Sequence, residues 1–238
     1  ALLNKGADLA AQEAAIDATL AAETPIPPED YRQVAYLKDA LAAFRAEYAP
    51  ILKGWVIEEV EAHGELELGQ VTYRSTESSD IYERRVAHVI YEFRRDMVAV
   101  SPDGLRFLWD FKTASRDEQA EVAASQVSNA YKGYCRTYEM QYPDRPVHGV
   151  LQRRLIMRKP TKTGVAFAFP EDGPIYYAKE ILDEWQRQTL RTAVEILERD
   201  PADADAWPLS GTVTGACRNQ WGCCDFVGVC ALPPDQRA

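Results

Sequence analysis

The sequence predicts an α/β fold in which helices flank a mixed β-sheet. The chain has 238 residues, 46% of them hydrophobic, which is enough for one domain with a full core. Its apolar residues recur at intervals of three to four in some segments and alternate in others, the patterns of helices and strands. These segments follow one another as helix, helix, strands, helix, strand, strand, helix and an irregular tail.

The N-terminal part predicts two helices followed by strands. Residues 1–22 are rich in Ala and polar residues, and a proline-containing segment separates them from a second helix over 31–48. Apolar residues at intervals of three to four mark the second helix, and Pro50 ends it. Strands are predicted over 55–68 and 83–93, with a polar loop over 73–80 between them.

A hairpin at the centre of the sequence follows. Residues 97–100 and 105–111 are apolar, β-prone runs, and Ser101-Pro102-Asp103-Gly104 between them is a turn sequence. Pro presets φ in such a turn, and Gly accepts a positive φ. The two runs therefore predict antiparallel strands.

The C-terminal half predicts a helix, two strands, a long helix and a tail. The segment 114–117 predicts the cap of a helix that runs to about residue 140. Strands are predicted over 148–157 and 164–170, with a short extension at 175–177, and an amphipathic helix over 179–199. We predict one domain over 1–207 and a Cys-rich tail over 208–238.

The charge distribution bears on nucleic-acid binding. The net charge of −10 argues against it, because contacts with phosphates need Lys and Arg. Basic residues nevertheless cluster in two places, before the hairpin and around residues 152–162, whereas the acids concentrate elsewhere. A local basic groove is therefore predicted, with these candidate contacts: Arg153, Arg154, Arg158 and Lys159.

Composition also bears on the compartment. No apolar run approaches the roughly 18 residues of a membrane span, so we expect no membrane partner. The N-terminus lacks the basic start and apolar core of a secretory signal, and it opens without Met, as a truncated or cleaved chain would. Five cysteines, an odd number mostly in one tail, favour a reducing cytoplasm over a secreted disulfide framework.

Two aspartates and a lysine flank the predicted hairpin. Asp96 begins the first strand, and Asp110 and Lys112 end the second. Pairing across the turn would bring the two carboxylates to one site, and residues two apart on a strand point to the same face. Such groups are costly to bury unless they bind something, and two oxygen ligands suit Mg²⁺ or Mn²⁺. The alternatives are an Asp96 paired with a neighbouring arginine and an exposed Lys112.

The order Asp96, Asp110-Phe111-Lys112 and a following helix with Gln and Tyr resembles the PD-(D/E)XK nuclease superfamily. The helix sequence SQVSNAYKGY resembles its RecB-like branch, and the strand before the hairpin and the Cys-rich tail resemble phage-encoded and CRISPR-associated exonucleases of that branch. The resemblance implies a restriction-endonuclease-like core and a DNA partner. It also implies metal binding by Asp96, Asp110 and the Phe111 carbonyl, with Lys112 beside the attacking water.

The same resemblance implies further site residues. Gln126 and Tyr131 would line the site from the helix, with Tyr134 as an alternative partner. A third carboxylate is expected on the preceding strand, at Glu61 or at one of its competitors, Glu58 and Glu59.

One position departs from the pattern of the RecB-like branch. That branch has a metal-binding His a few residues after a Gly on its first helix, whereas Ala10 follows Gly6 here. Either Glu13 or water replaces this ligand, or activity is reduced.

The tail contains Cys217, Cys223, Cys224 and Cys230. In related nucleases one upstream Cys and three tail cysteines hold a 4Fe-4S cluster, and Cys135 is the upstream candidate here. The alternatives are a Zn²⁺ site in the tail and cysteines that only pack.

The resulting prediction is a metal-dependent DNA nuclease, an exonuclease acting in recombination, repair or CRISPR-associated processing, with proteins of those pathways as partners. An endonuclease on the same fold is one alternative. A catalytically weakened DNA-binding or assembly subunit is the other, which the missing His and the acidic net charge favour.

Overall fold

A computed structural model describes residues 18, 34–75, 83–115, 125–160, 167–170, 172–199, 218–219 and 222–223. The elements, in chain order, are helix α1 (Val34–Ile51), strands β1 (Val56–Ser75), β2 (Glu83–Val100) and β3 (Arg106–Ala114), helix α2 (Asn129–Gln141), strands β4 (Gly149–Met157) and β5 (Phe167–Ala168), helix α3 (Lys179–Leu197), and the short strands β6 (Arg218–Asn219) and β7 (Gly222–Cys223). The predicted α/β class with a mixed sheet is confirmed.

Five strands form the sheet in the order β1-β2-β3-β4-β5. β2 and β3 are antiparallel, β3 and β4 are parallel, and β4 and β5 are antiparallel. Parallel neighbours need a long crossover, and α2 lies in the connection between β3 and β4. The remaining strands, β6 and β7, pair with each other in a separate two-stranded sheet.

The central hairpin forms as its sequence predicts. The Gly104 N–H donates to the Ser101 carbonyl at 2.9 Å, and the Ser101 N–H donates to the Leu105 carbonyl at 2.8 Å. Gly104 has a φ of +82°, which is inexpensive only for Gly. The register that results pairs Val100 with Arg106 and Met97 with Trp109.

Alternating residues of β3 face two different apolar clusters. Leu108 lies in a cluster with Val98, Val150 and residues of α2, whereas Phe107 and Trp109 lie in a cluster with Tyr48 of α1. The period of two along a strand produces this division. The sheet is thus covered by α2 on the Leu108 face and by α1 on the Trp109 face.

Several element boundaries differ from the sequence prediction. Strand β1 extends through Ser75, into the segment predicted as a loop, and β3 extends through Ala114, which was predicted to begin a helix cap. α1 continues one residue beyond Pro50, so this proline lies in the last turn of the helix. Ile175 extends the sheet only through an isolated antiparallel bridge to Val150. The first predicted helix, 1–22, lies almost entirely outside the described residues.

Contacts divide the chain into two compact units. One contains the described residues up to Leu68 together with Ile90–Arg187, and the other contains those of Gly69–Val89 and from Gln188 onward. In the second unit, the Arg74 N–H donates to a Glu198 carboxylate oxygen at 3.0 Å. The predicted boundary at residues 207 and 208 lies outside the described residues. The candidate site lies wholly within the first unit.

Candidate metal and hydrolytic site

The two aspartates meet where β2 and β3 stop pairing as a regular ladder. The described pairs run from the turn to Met97 opposite Trp109. Beyond that pair, the Asp96 carboxylate accepts the Phe111 N–H at 2.8 Å. β3 continues alongside β4 through this region, with Asp110 opposite Gln152 and Lys112 opposite Arg154. The Asp96 side chain thus serves as the acceptor for a backbone N–H of β3.

Asp110 is the buried carboxylate at this end of the hairpin, with 5% of its surface exposed. One of its oxygens, Oδ1, accepts from Lys112 Nζ at 2.9 Å, and the other, Oδ2, accepts from the Tyr131 hydroxyl at 2.7 Å. Charged groups are seldom buried without such partners. The geometric prediction that Asp110 and Lys112 share a face is confirmed.

Asp96 is half-buried and lies within the electrostatic range of Asp110. Burial raises the pKa of Asp96 above its ordinary value, the Phe111 N–H opposes this rise, and the negative charge of Asp110 adds to it. A carboxylate close to the negative charge of a second one is a typical environment for a cation. Asp96 does not take Arg94 or Arg95 as its ion-pair partner, since these bind Glu61 and Glu59 respectively.

Lys112 extends from the buried carboxylate toward solvent, with 53% of its side chain exposed. Burial lowers the pKa of Lys112, but the charge and hydrogen bond of Asp110 and the charge of Asp96 outweigh this, so the pKa is raised overall. The ammonium group therefore stays charged at neutral pH. Its hydrogen bond to Asp110 fixes its position, and part of the Lys112 side chain remains accessible to solvent.

Helix α2 supplies the second partner of Asp110. Ser128 caps the helix, and its hydroxyl accepts the Tyr131 N–H at 3.4 Å. This cap fixes the first turn, from which the buried Tyr131 side chain reaches the sheet. Burial and the adjacent Asp110 raise the pKa of Tyr131, so its hydroxyl remains a donor.

The other two residues predicted to line the site from the helix, Gln126 and Tyr134, do not contact Asp110 as Tyr131 does. Gln126 precedes α2 and is exposed, and among the described residues we find no hydrogen bond that ties it to the carboxylates. Tyr134, the alternative partner, is half-buried one turn after Tyr131. Burial and the charge of Asp110 raise the pKa of Tyr134. The influence of Asp110 indicates that Tyr134 lies close to the site.

All three candidate glutamates of β1 form ion pairs. Glu58 binds Arg106 through two contacts of 2.7 and 2.9 Å. Glu61 binds Arg94 at 3.0 Å, and both side chains are at least half exposed. Glu61 has a φ of +49°, a conformation that costs a non-Gly residue about 1–2 kcal/mol. Of the three, Glu61 lines the same pocket as Asp96.

One of the four residues predicted to contact phosphates in a basic groove, Arg154, is buried and already paired. Arg154 is 1% exposed, and its guanidinium binds both oxygens of Asp172 at 2.5 and 2.9 Å. A guanidinium engaged in this way cannot also contact a phosphate. Arg153 is partly buried, with its guanidinium carbon 5.0 Å from the centre of the Trp109 ring. Arg158 and Lys159 are exposed, as a phosphate contact requires.

The proposed thiol ligands are mostly outside the described residues. Cys217, Cys224 and Cys230 lie there, and of Cys223 only the backbone in β7 is described. Cys135 of α2 is 3% exposed and packs in the core, and burial raises the pKa of its thiol. A neutral, packed thiol is the expected state in such surroundings.

A pocket of about 380 Å³ opens next to Asp96 and Lys112, whereas Asp110 does not line it. Its polar lining comes from Glu61, Asp96, Lys112 and Thr113. Its apolar lining includes side chains from the face of α1 that the sequence predicts to be apolar. The period of three to four residues shows which residues share that face, but it contains no signal for which strand end they cover.

The donor set suits a hard cation that retains much of its hydration shell. Among the described residues, no three His, Cys, Asp or Glu side chains form a cluster that could hold a metal by themselves. Asp96, Asp110 and the Phe111 carbonyl offer oxygens only. Mg²⁺ is commonly bound by one or two carboxylates, with water and substrate phosphate completing the octahedron. These residues therefore fit Mg²⁺ or Mn²⁺.

Comparison of the sequence with models of known protein families and with curated proteins gives no match. Among the helices that the structure describes, none has the length and apolar composition needed to cross a membrane.

Proposed function

We propose that this protein is a metal-dependent deoxyribonuclease that hydrolyses phosphodiester bonds, and that it acts as an exonuclease. The observation that carries the proposal is the arrangement around Asp110. A buried carboxylate, a second carboxylate from the adjacent strand and a half-exposed lysine converge at one point of the sheet. The order and placement of these residues on strand, strand and helix resemble the PD-(D/E)XK nucleases.

Asp96, Asp110 and the Phe111 carbonyl would hold the cation. A divalent cation bound there would polarise the scissile phosphate and lower the pKa of a coordinated water. Its ligands must be ionised, so the raised pKa of Asp96 makes cation and proton compete for this carboxylate.

Lys112 would act on the reacting phosphate. Its ammonium group is fixed at 2.9 Å from Asp110 Oδ1 and is partly open to solvent. In this position it would orient the attacking water and offset the negative charge that develops on the phosphate. Tyr131 would act through Asp110, since its hydroxyl holds the second carboxylate oxygen in place.

The pathway rests on the resemblance alone. RecB-like nucleases of this kind suggest recombination, repair or CRISPR-associated processing, with DNA and proteins of those pathways as partners and the cytoplasm as the location. A 4Fe-4S cluster or Zn²⁺ in the Cys-rich tail belongs to the same proposal.

Metal dependence and two isosteric variants test the proposal. Purified protein should degrade linear DNA with Mg²⁺ or Mn²⁺ and be inactive in EDTA. Asp110→Asn, which keeps an acceptor for Tyr131, and Lys112→Met should each lower the rate by on the order of 10²–10³. Matched controls are Asp103→Asn, in the turn of the same hairpin, and Lys53→Met, both exposed and away from the site.

The outcomes separate the rival functions. An undiminished rate in EDTA would exclude the metal mechanism. Normal cleavage by both site variants would show that the assignment of the two residues is wrong. DNA binding without cleavage by the wild-type protein would favour the assembly subunit. Covalently closed circular DNA distinguishes the two nuclease types, because an exonuclease spares it and an endonuclease cuts it.

A further inference from the structure

The pocket beside Asp96 and Lys112 has a lining that phosphate hydrolysis does not require. Six apolar side chains line it: Leu41, Phe44, Val60, Met97, Phe111 and Leu155. Contacts with a phosphate and a hydrated cation would come from charged and polar groups. No residue that the structure describes fills this pocket, and apolar surface in contact with water is costly. Such a surface next to a reaction centre is typical of a site for an apolar ligand group.

Two aromatic rings form part of this apolar wall. Phe44 of α1 and Phe111 of β3 lie edge to face, with ring centres 5.4 Å apart, and both are partly exposed. Phe111 is also the residue between Asp110 and Lys112, and its N–H binds Asp96. One ring of this wall thus comes from the same short segment of β3 as Lys112, and Lys112 and Asp96 line the pocket beside it. Alternation along β3 turns Asp110 the other way, toward Tyr131 of α2.

We propose that this pocket receives one nucleobase of the strand that is cut, an inference that rests on the proposed nuclease function. A nucleotide joins a flat, largely apolar base to a phosphate through one sugar, and the pocket joins an aromatic wall to a phosphate-handling centre. Bases stack on aromatic side chains in proteins that bind single strands. A volume of about 380 Å³ suits one nucleoside rather than a stacked pair.

The pocket sets a requirement on the substrate. A base can enter only if it leaves its own stack and its partner strand, which costs least at a frayed end or in a single strand. Mainly apolar walls recognise the face of a base rather than its hydrogen-bonding edge, so discrimination among the four bases should be small. The rate of cleavage should therefore depend more on whether a base is present than on which base it is.

Strands that lack a single base test this requirement in the wild-type protein. Labelled single strands carry one abasic residue at the 5′ end, at the 3′ end or in the middle, and cleavage at each position is followed on a sequencing gel. The phosphodiester whose base enters the pocket should be cut on the order of ten-fold more slowly when that base is absent. Phosphodiesters elsewhere should be cut at the normal rate.

Two phenylalanine variants locate the effect. Phe44→Ala should remove most of the difference between intact and abasic strands. Phe169→Ala is the matched control: this ring is also partly buried against the same core and contacts Tyr48, but it does not line the pocket. If a melting curve shows that Phe44→Ala does not fold, Leu41→Ala takes its place.

The outcomes distinguish the pocket from the nuclease function. Equal cleavage of intact and abasic strands by active wild-type protein would overturn the base pocket and leave the nuclease standing. If no DNA is cut with Mg²⁺ or Mn²⁺, the nuclease proposal fails. The affinities for intact and abasic strands, measured in EDTA, then test whether the pocket binds a base. Tighter binding of the intact strand, lost in Phe44→Ala, would support it, and equal affinities would overturn it.

Discussion

Replacing Tyr131 with Phe removes one oxygen from the candidate site and keeps the ring that fills the core. The Tyr131 hydroxyl donates to Asp110 Oδ2 at 2.7 Å. Because Asp110 is only 5% exposed, water has little access to replace this donor. Lys112 would remain as the partner of the other oxygen. The variant therefore tests how much the α2 hydroxyl stabilises a buried carboxylate.

The expected loss of stability in Tyr131→Phe follows from the negative charge of the hydrogen-bond acceptor, Asp110. A hydrogen bond to a charged group contributes about 1.5–3 kcal/mol to stability, more than a neutral one. In a protein of this size, 1 kcal/mol corresponds to about 2–4 °C in melting temperature. We therefore expect Tyr131→Phe to lower the free energy of unfolding by about 1.5–3 kcal/mol, and the melting temperature by about 3–12 °C.

Urea unfolding followed by circular dichroism measures this loss. Tyr134→Phe is the control, since Tyr134 is half-buried on the same helix and its hydroxyl has no hydrogen bond to another described residue. It should change the free energy of unfolding by less than about 0.5 kcal/mol. Equal stabilities of the two variants would refute the inference that Tyr131 stabilises Asp110. In cleavage assays, Tyr131→Phe should need more Mg²⁺ for half-maximal rate, because Asp110 is then held by Lys112 alone.

Three further predictions concern residues outside this contact. Arg154→Met should lower the free energy of unfolding by about 3–5 kcal/mol in urea, because it strands a buried partner carboxylate. Lys179→Met breaks an exposed ion pair and should cost less than about 0.5 kcal/mol; equal losses would contradict a structural role for Arg154. The hydrogen bond from Arg106 lowers the pKa of Glu58 below 4.5, so this carboxylate contributes stability above that pH and loses it as pH falls through the lowered value. Glu58→Gln should therefore lose less stability on acidification than wild type, and identical acid unfolding profiles would disprove this linkage. Anaerobically purified protein should contain iron that Cys230→Ser loses, whereas a fully active preparation without iron or zinc would show that the tail cysteines only pack.

The hairpin and its charged end could be predicted because their signals are local. The turn sequence from Ser101 to Gly104 specifies where the chain reverses, and the period of two specifies which side chains share a face. Together they place Asp110 and Lys112 on one side, and the 2.9 Å contact between Asp110 Oδ1 and Lys112 Nζ confirms this. The same signals bring Asp96 within electrostatic range of Asp110.

The environment of Arg154 could not be predicted because its cause is distant in sequence. Basic residues within a strand usually face the solvent, and the chain gives no local sign that Arg154 of β4 turns inward. The decisive partner is Asp172, 18 residues later, which follows the strand that pairs with β4. Glu61 is similar, since its pairing with Arg94 depends on how β1 and β2 lie beside each other.

The charge of the site bears on how an acidic protein could bind the polyanionic substrate that we propose. With both aspartates ionised, Asp96, Asp110 and Lys112 together carry one net negative charge, which repels a phosphodiester. A divalent cation bound between the carboxylates would reverse that sign to one net positive charge. Burial strengthens this effect, because the interaction of charges around Asp110 is less screened than it is in water. Metal and DNA should therefore bind cooperatively at this centre, and the chain's net charge of −10 does not itself exclude a nucleic-acid substrate.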